Sequence, residues 1–142
     1  MERLKLKVAV YLLLIKDEKI FLLRRFNTGW QDGNYTLASG HLEEGETIME
    51  ALLRESREEI GLTLRPEGVR LVLTMHRMST YIDFFFAVDA WEGDPGNMEL
   101  DKCDEAAWFP LDALPENMVP SVRFAIEKYR EGIAFSEFDS ES

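Results

Sequence analysis

Residues 47–62 constrain the fold more than any other stretch of this chain. Thr47 is followed three positions later by Glu50, a pair that can satisfy each other's backbone N–H groups at a helix start, and Gly61-Leu62 supplies a stop. The spacing predicts a helix over 47–60. At ~100° per residue, Ile48, Met49, Leu52, Leu53 and Ile60 cover one arc that can face a core. Glu55, Glu58 and Glu59 fall together in the neighbouring arc, at i, i+3 and i+4. Like charges on adjacent turns cost a helix roughly a few tenths of a kcal/mol per pair. A solvated acidic face explains such a cluster, and so does a cation that neutralises it. Hard oxygen donors of this kind suit Mg²⁺, with Mn²⁺ as a substitute.

The remaining elements predict an α+β domain, a mixed sheet with one helix after the third strand and another at the end. Leu4–Lys16 and Lys19–Arg25 are apolar-rich runs around Asp17-Glu18 and read as a hairpin, the first run apolar on both faces from Val8 onward. A loop over Asn27–Asn34 leads to a short strand at Tyr35–Ala38. Further strands are expected near Gly68–Met75, Tyr81–Trp91 and Ala106–Phe109, and a last helix near Val119–Arg130. Residues 1–135 are assigned to one domain, and the acidic, serine-rich residues 136–142 to a frayed tail.

Bulk properties narrow the partners. The net charge of −11 disfavours polymeric nucleic acid, but divalent cations let an acidic protein take a small anionic substrate. No apolar run is long enough to cross a bilayer, the N-terminus lacks a signal-peptide pattern, and the one cysteine, Cys103, fits a reducing cytoplasm. A monomer or a homodimer is expected.

Residues 40–62 read GHLEEGETIMEALLRESREEIGL. They fit Gly-x5-Glu-x7-Arg-Glu-U-x-Glu-Glu-x-Gly-U, where U is a bulky aliphatic residue, through Gly40, Glu46, Arg54, Glu55, Glu58, Glu59, Gly61 and Leu62. This resembles the signature box of the Nudix hydrolases of the MutT-like kind. The resemblance implies a mixed β-sheet sandwiched between helices, and a loop–helix–loop in which Glu55, Glu58 and Glu59 hold divalent metal, joined by the Ser39 backbone carbonyl. It implies that Glu46 and Arg54 pair to fix the loop and that Gly40 and Gly45 permit its turns. Ser56 departs from the pattern at the U position within Arg-Glu-U-x-Glu-Glu. Ala38 departs where relatives often carry Pro. Neither is a ligand.

The same resemblance implies water attack on a phosphorus of a diphosphate linkage, with a glutamate taking the proton. That glutamate is Glu58 or another box residue, or an acid from the loop before Trp108, where Glu99 and Glu105 are the candidates and Glu99 the first choice. Arg24 or Arg25 can meet a phosphate with its guanidinium fork, although edge-strand solvation explains both equally well. Tyr81, Asp83 and Phe85 share one strand face and form either a base- or sugar-binding wall or core; Trp30 and Tyr35 can stack on a base, with core packing an equal alternative for Tyr35. The downstream features of NADH-type and ADP-ribose-type relatives are missing, and Tyr81 lies near a tyrosine of diadenosine-polyphosphate relatives. The short chain favours a nucleoside or deoxynucleoside triphosphate. A weakly active nucleotide-binding or sensing module of the same fold is the competing reading, but such modules typically lose box glutamates that this chain keeps.

Overall fold

Asp17 and Glu18 both adopt left-handed backbone conformations, the geometry that a two-residue hairpin turn requires. In this computed structural model, which describes residues 1–139, they join β2 (Ile15–Lys16) to β3 (Lys19–Arg25) in register Lys16↔Lys19. The rest of the first apolar run behaves differently from the expected hairpin. It forms β1 (Lys7–Leu13), leaves that sheet at Leu14, and pairs elsewhere. Its neighbours are β5 (Ala38–His41), antiparallel, and β8 (Tyr81–Val88), parallel.

With β7 (Val69–Arg77) and β11 (Phe135–Phe138), these strands make a five-stranded mixed sheet in the order β11-β7-β8-β1-β5. A second sheet holds β10 (Cys103–Pro110), β3 and β2, with β4 (Tyr35–Thr36) also paired to β3. The strand expected at Tyr35–Ala38 is therefore two: β4 serves one sheet and β5 the other, with the fully buried Leu37 between them. A two-stranded ladder of β6 (Thr63–Leu64) and β9 (Trp91–Glu92) completes the strands.

Because β1 is central, its alternate residues enter two cores. Ala9, Tyr11 and Leu13 pack with Leu73, Met75 and Phe85 and with Val122, Ala125 and Ile126 of α2 (Pro120–Arg130). Val10, Leu12 and Leu14 pack with Phe86 and with Ala51, Leu52 and Ile60 of α1 (Ile48–Ile60). One helix thus closes each core, which is the sandwich expected. None of the described helices is long and apolar enough to cross a membrane.

One further expectation needs correction. Residues 136–138 are not frayed: Ser136 pairs with Met75 and Phe138 with Arg77, while the Phe138 ring packs 5.1 Å from Phe124. Two spaced phenylalanines and an available sheet edge outweigh the polar composition. Residues 140–142 of that tail lie outside the described residues. Of the two readings of the β8 face, core holds for Phe85 and Asp83. Phe85 is buried and stacks on Tyr11, with ring centroids 4.5 Å apart, and Asp83 is fully buried in an ion pair with Arg77 at 2.5 Å.

Candidate active site

Local chemistry builds α1 as the sequence predicts. Thr47 accepts from Glu50 N–H at 3.1 Å, and Glu50 accepts from Thr47 N–H at 2.8 Å. At the other end Gly61 takes a left-handed conformation, its N–H donating to Arg57 and that of Leu62 to Ser56. A helix so bounded, with Leu52 and Ile60 in the core, presents Glu55, Glu58 and Glu59 to a cleft of about 900 Å³. Ser39 and Gly40 from β5 also line it, as do Glu99 and Lys102 from the loop before β10 and Cys103 at the start of that strand.

Arg54 holds the loop before α1. Its guanidinium donates to both Glu46 oxygens at 2.6 and 3.0 Å and to the His41 carbonyl at 3.2 Å. It also meets Glu55, and Glu58 at 3.4 Å. The Arg54 hydrogen bonds hold the Glu46 carboxyl below the usual range, with a further contribution from Glu43 N–H, and leave Arg54 still more firmly protonated. Gly40 passes so close to Glu55 that a Cβ there would overlap the carboxyl group. Any side chain at this position would force the Glu55 carboxylate to move.

Glu59 accepts from Ser39 N–H at 2.7 Å. Burial pushes its carboxyl up to about 8, and the nearby Glu55 and Glu99 add to the effect. Burial also raises the Glu55 carboxyl. Among the described residues no three acidic, histidine or cysteine side chains stand ready-made around one metal position, since Glu55 engages Arg54 and Glu59 engages Ser39. The donor set nevertheless fits a divalent cation. Four carboxylates, of Glu55, Glu58, Glu59 and Glu99, line one cleft, and burial together with the like charges of neighbouring glutamates raises the proton affinity of Glu55 and Glu59.

The remaining candidates separate cleanly. Arg25 lines the cleft, its Nε donating to the Trp30 carbonyl at 2.7 Å and its guanidinium lying 4.8 Å from the centre of the Trp30 ring. Arg24 is not in the cleft. It binds Asp104 at 2.8 Å and Glu105 at 3.2 Å, because β3 and β10 place Arg24 opposite Glu105. Glu105 is thus removed from the glutamate cluster, and its carboxylate also accepts from Tyr35, a core residue. Tyr81 lines a smaller pocket of about 280 Å³ with Trp30, His41, Arg77 and Met78. That pocket shares Arg25, Ser39, Gly40 and His41 with the main cleft. The Tyr81 ring stacks on His41 and lies 4.0 Å from the Arg77 guanidinium, whose partner is the buried Asp83.

Sequence reasoning missed Arg77, Lys102 and Asn97. Asn97 had a readable signal, since Asn in a loop tends to accept from the backbone N–H two residues on. Arg77 had none, because its partner Asp83 reads as an ordinary strand residue.

A family model described as the NUDIX domain matches residues 5–129, and this chain belongs to the Nudix hydrolase family. Its fold is MutT-like. A MutT NUDIX hydrolase from Burkholderia pseudomallei superimposes with a TM-score of 0.78 at 25% identity, over 87% of this chain and 97% of that one. Among proteins of known name, the 8-oxo-dGTP diphosphatase of Escherichia coli is 30% identical over 67% of this chain and 74% of its own length. The ADP-ribose pyrophosphatase of Methanocaldococcus jannaschii is 34% identical over 77% of this chain and 64% of its own. The human 8-oxo-dGDP phosphatase NUDT18 is 32% identical over 76% of this chain, which spans only 33% of that longer protein. These relatives are named for nucleotide substrates, and the family in general uses divalent metal.

Proposed function

We propose that this protein hydrolyses nucleoside or deoxynucleoside triphosphates at a diphosphate linkage, in a magnesium-dependent reaction that manganese also supports. The observation that carries the reading is the convergence of Glu55, Glu58, Glu59 and Glu99 on one cleft continuous with an aromatic-lined pocket. Glu55, Glu58 and Glu59 would hold the metal, with the Ser39 carbonyl beside them. When bound, divalent metal neutralises the polyphosphate, polarises the scissile bond and makes water a stronger acid.

The chain's own groups then divide the work. Arg25 and Lys102, at the rim of the cleft, meet phosphate oxygens. Glu99 takes the proton of the water that attacks phosphorus, with Glu58 the other acid placed to do so. The bond between the attacked phosphorus and its bridging oxygen breaks, giving a nucleoside monophosphate and pyrophosphate. Tyr81, His41 and Trp30 offer flat faces to the base in the adjoining pocket. Arg54 and Glu46 keep the loop in place and touch no substrate.

A nucleotide panel with Mg²⁺ or Mn²⁺ tests the proposal, with monophosphate and pyrophosphate separated chromatographically. It should include canonical and 8-oxo triphosphates, ADP-ribose and NADH. Turnover is expected on triphosphates and none with EDTA. Turnover confined to ADP-ribose or NADH would overturn the substrate assignment, and metal-independent turnover would overturn the site.

A further inference from the structure

We propose that Asn97 is a positioning residue for Glu99, and that it is part of a latch binding the loop before β10 to the end of α1. The proposal rests on Glu99 acting in the reaction as described above. A loop acid on a glycine- and proline-containing segment has no reason to keep station beside a helix unless something ties it there.

The ties are specific. Helix ends leave carbonyls without partners. Here the loop supplies the donors: Gly96 N–H to Ile60 and Met98 N–H to Glu59, each at 3.0 Å. The carbonyl of Glu59 is therefore one hydrogen bond from the residue preceding Glu99. The Met98 side chain lies over Gly61, where an added Cβ would be 3.4 Å from it. Asn97 then fixes the turn that follows. Its Oδ1 accepts from Glu99 N–H at 3.0 Å, and its Nδ2 donates to the Cys103 carbonyl at 2.5 Å. The Glu99 carbonyl in turn accepts from Lys102 and Cys103 N–H groups at 2.9 and 3.0 Å. A single half-buried amide thus spans the turn and ties the Glu99 backbone to the start of β10.

The test uses the full chain with Mg²⁺ and a triphosphate that it hydrolyses. Four variants are compared: Asn97→Ala, Asn97→Ser, Glu99→Gln, and Asn97→Ala combined with Glu99→Gln. General-base groups typically contribute about 100-fold or more. Asn97→Ala is expected to lose most of the kcat that Glu99→Gln loses, with KM within about twofold of wild type. The double variant should be no slower than Glu99→Gln alone, because residues acting as a unit are not additive. Serine can still accept from the N–H two residues on, so Asn97→Ser should recover part of the rate and serve if the alanine variant folds poorly. A crippled Glu99→Gln beside normal turnover in both Asn97 variants would overturn the latch, as would losses that multiply in the double variant. Wild-type turnover in Glu99→Gln would instead overturn the assignment of Glu99 on which the latch depends.

Discussion

Gly40 and Glu55 lie so close that a single methyl group on the glycine would share space with the carboxyl group. The glycine of the box therefore sets where the first glutamate of the cluster stands. Gly40→Ala must move Glu55 or part β5 from α1. We expect kcat to fall at least tenfold and stability to fall by about 1–3 kcal/mol, the usual range for overpacking. Steady-state kinetics and urea denaturation check this, and near-normal values of both would show that the contact relaxes freely.

Glu59 links metal, protons and stability. Its carboxyl is raised to about 8 in the folded chain from an ordinary 4.5, so between those values the folded state holds a proton that the unfolded state releases. This group's contribution is therefore most favourable below about 4.5 and declines as pH rises towards 8. Metal needs the ionised carboxylate, so metal affinity should climb with pH over the same window. Calorimetry between pH 6 and 8.5 should show proton release on Mg²⁺ or Mn²⁺ binding. Glu59→Gln should abolish most hydrolysis, keep the Ser39 hydrogen bond, and leave the metal-free fold at least as stable at pH 8. Wild-type turnover in that variant would remove Glu59 from the site.

Glu99 and Glu105 should now separate sharply. Glu99→Gln is expected to lower kcat with little change in KM. Glu105→Gln should leave turnover within about twofold of wild type, because its partners are Arg24 and Tyr35 outside the cleft. Kinetics at saturating Mg²⁺ decide the matter. A large loss confined to Glu105→Gln would reverse the assignment, and normal rates in both would leave Glu58.

Ser56 replaces a bulky aliphatic residue in α1, is buried, and its hydroxyl has no hydrogen-bond partner. An unsatisfied buried hydroxyl costs about 1–3 kcal/mol, and alanine favours helix. Ser56→Ala should therefore raise the melting temperature by about 3 °C, the usual yield of 1 kcal/mol at this chain length, with activity unchanged. A lower melting temperature in scanning calorimetry would show that the hydroxyl does find a partner.

What could be read in advance follows from how local each signal is. α1 carries its own start, stop and buried arc within sixteen residues, so its extent and the glutamate cluster were legible. Arg24 and Arg25 were not separable, because neighbouring strand residues take opposite faces and only the pairing with β10 says which face meets the cleft. That same pairing turned Glu105 into a cross-strand partner of Arg24. β11 was hidden because its two phenylalanines gain meaning only beside the open edge of β7. The latch through Asn97 depends on carbonyls at the end of α1, distant in sequence, and only the two-residue spacing of Asn97 from Glu99 hinted at it.

The central place of β1 has a consequence for how the protein is made. Its parallel partner β8 pairs Lys7 with Tyr81 and Leu13 with Ala87, so β1, once synthesised, waits for a long following stretch of chain before one of its edges is covered. Contacts this distant in sequence slow folding and lengthen the exposure of an apolar strand. Synthesis rate and chaperone supply, rather than final stability, should then govern how much soluble enzyme a cell accumulates. A protein truncated before β8 should be insoluble although it contains every residue of the glutamate-bearing helix.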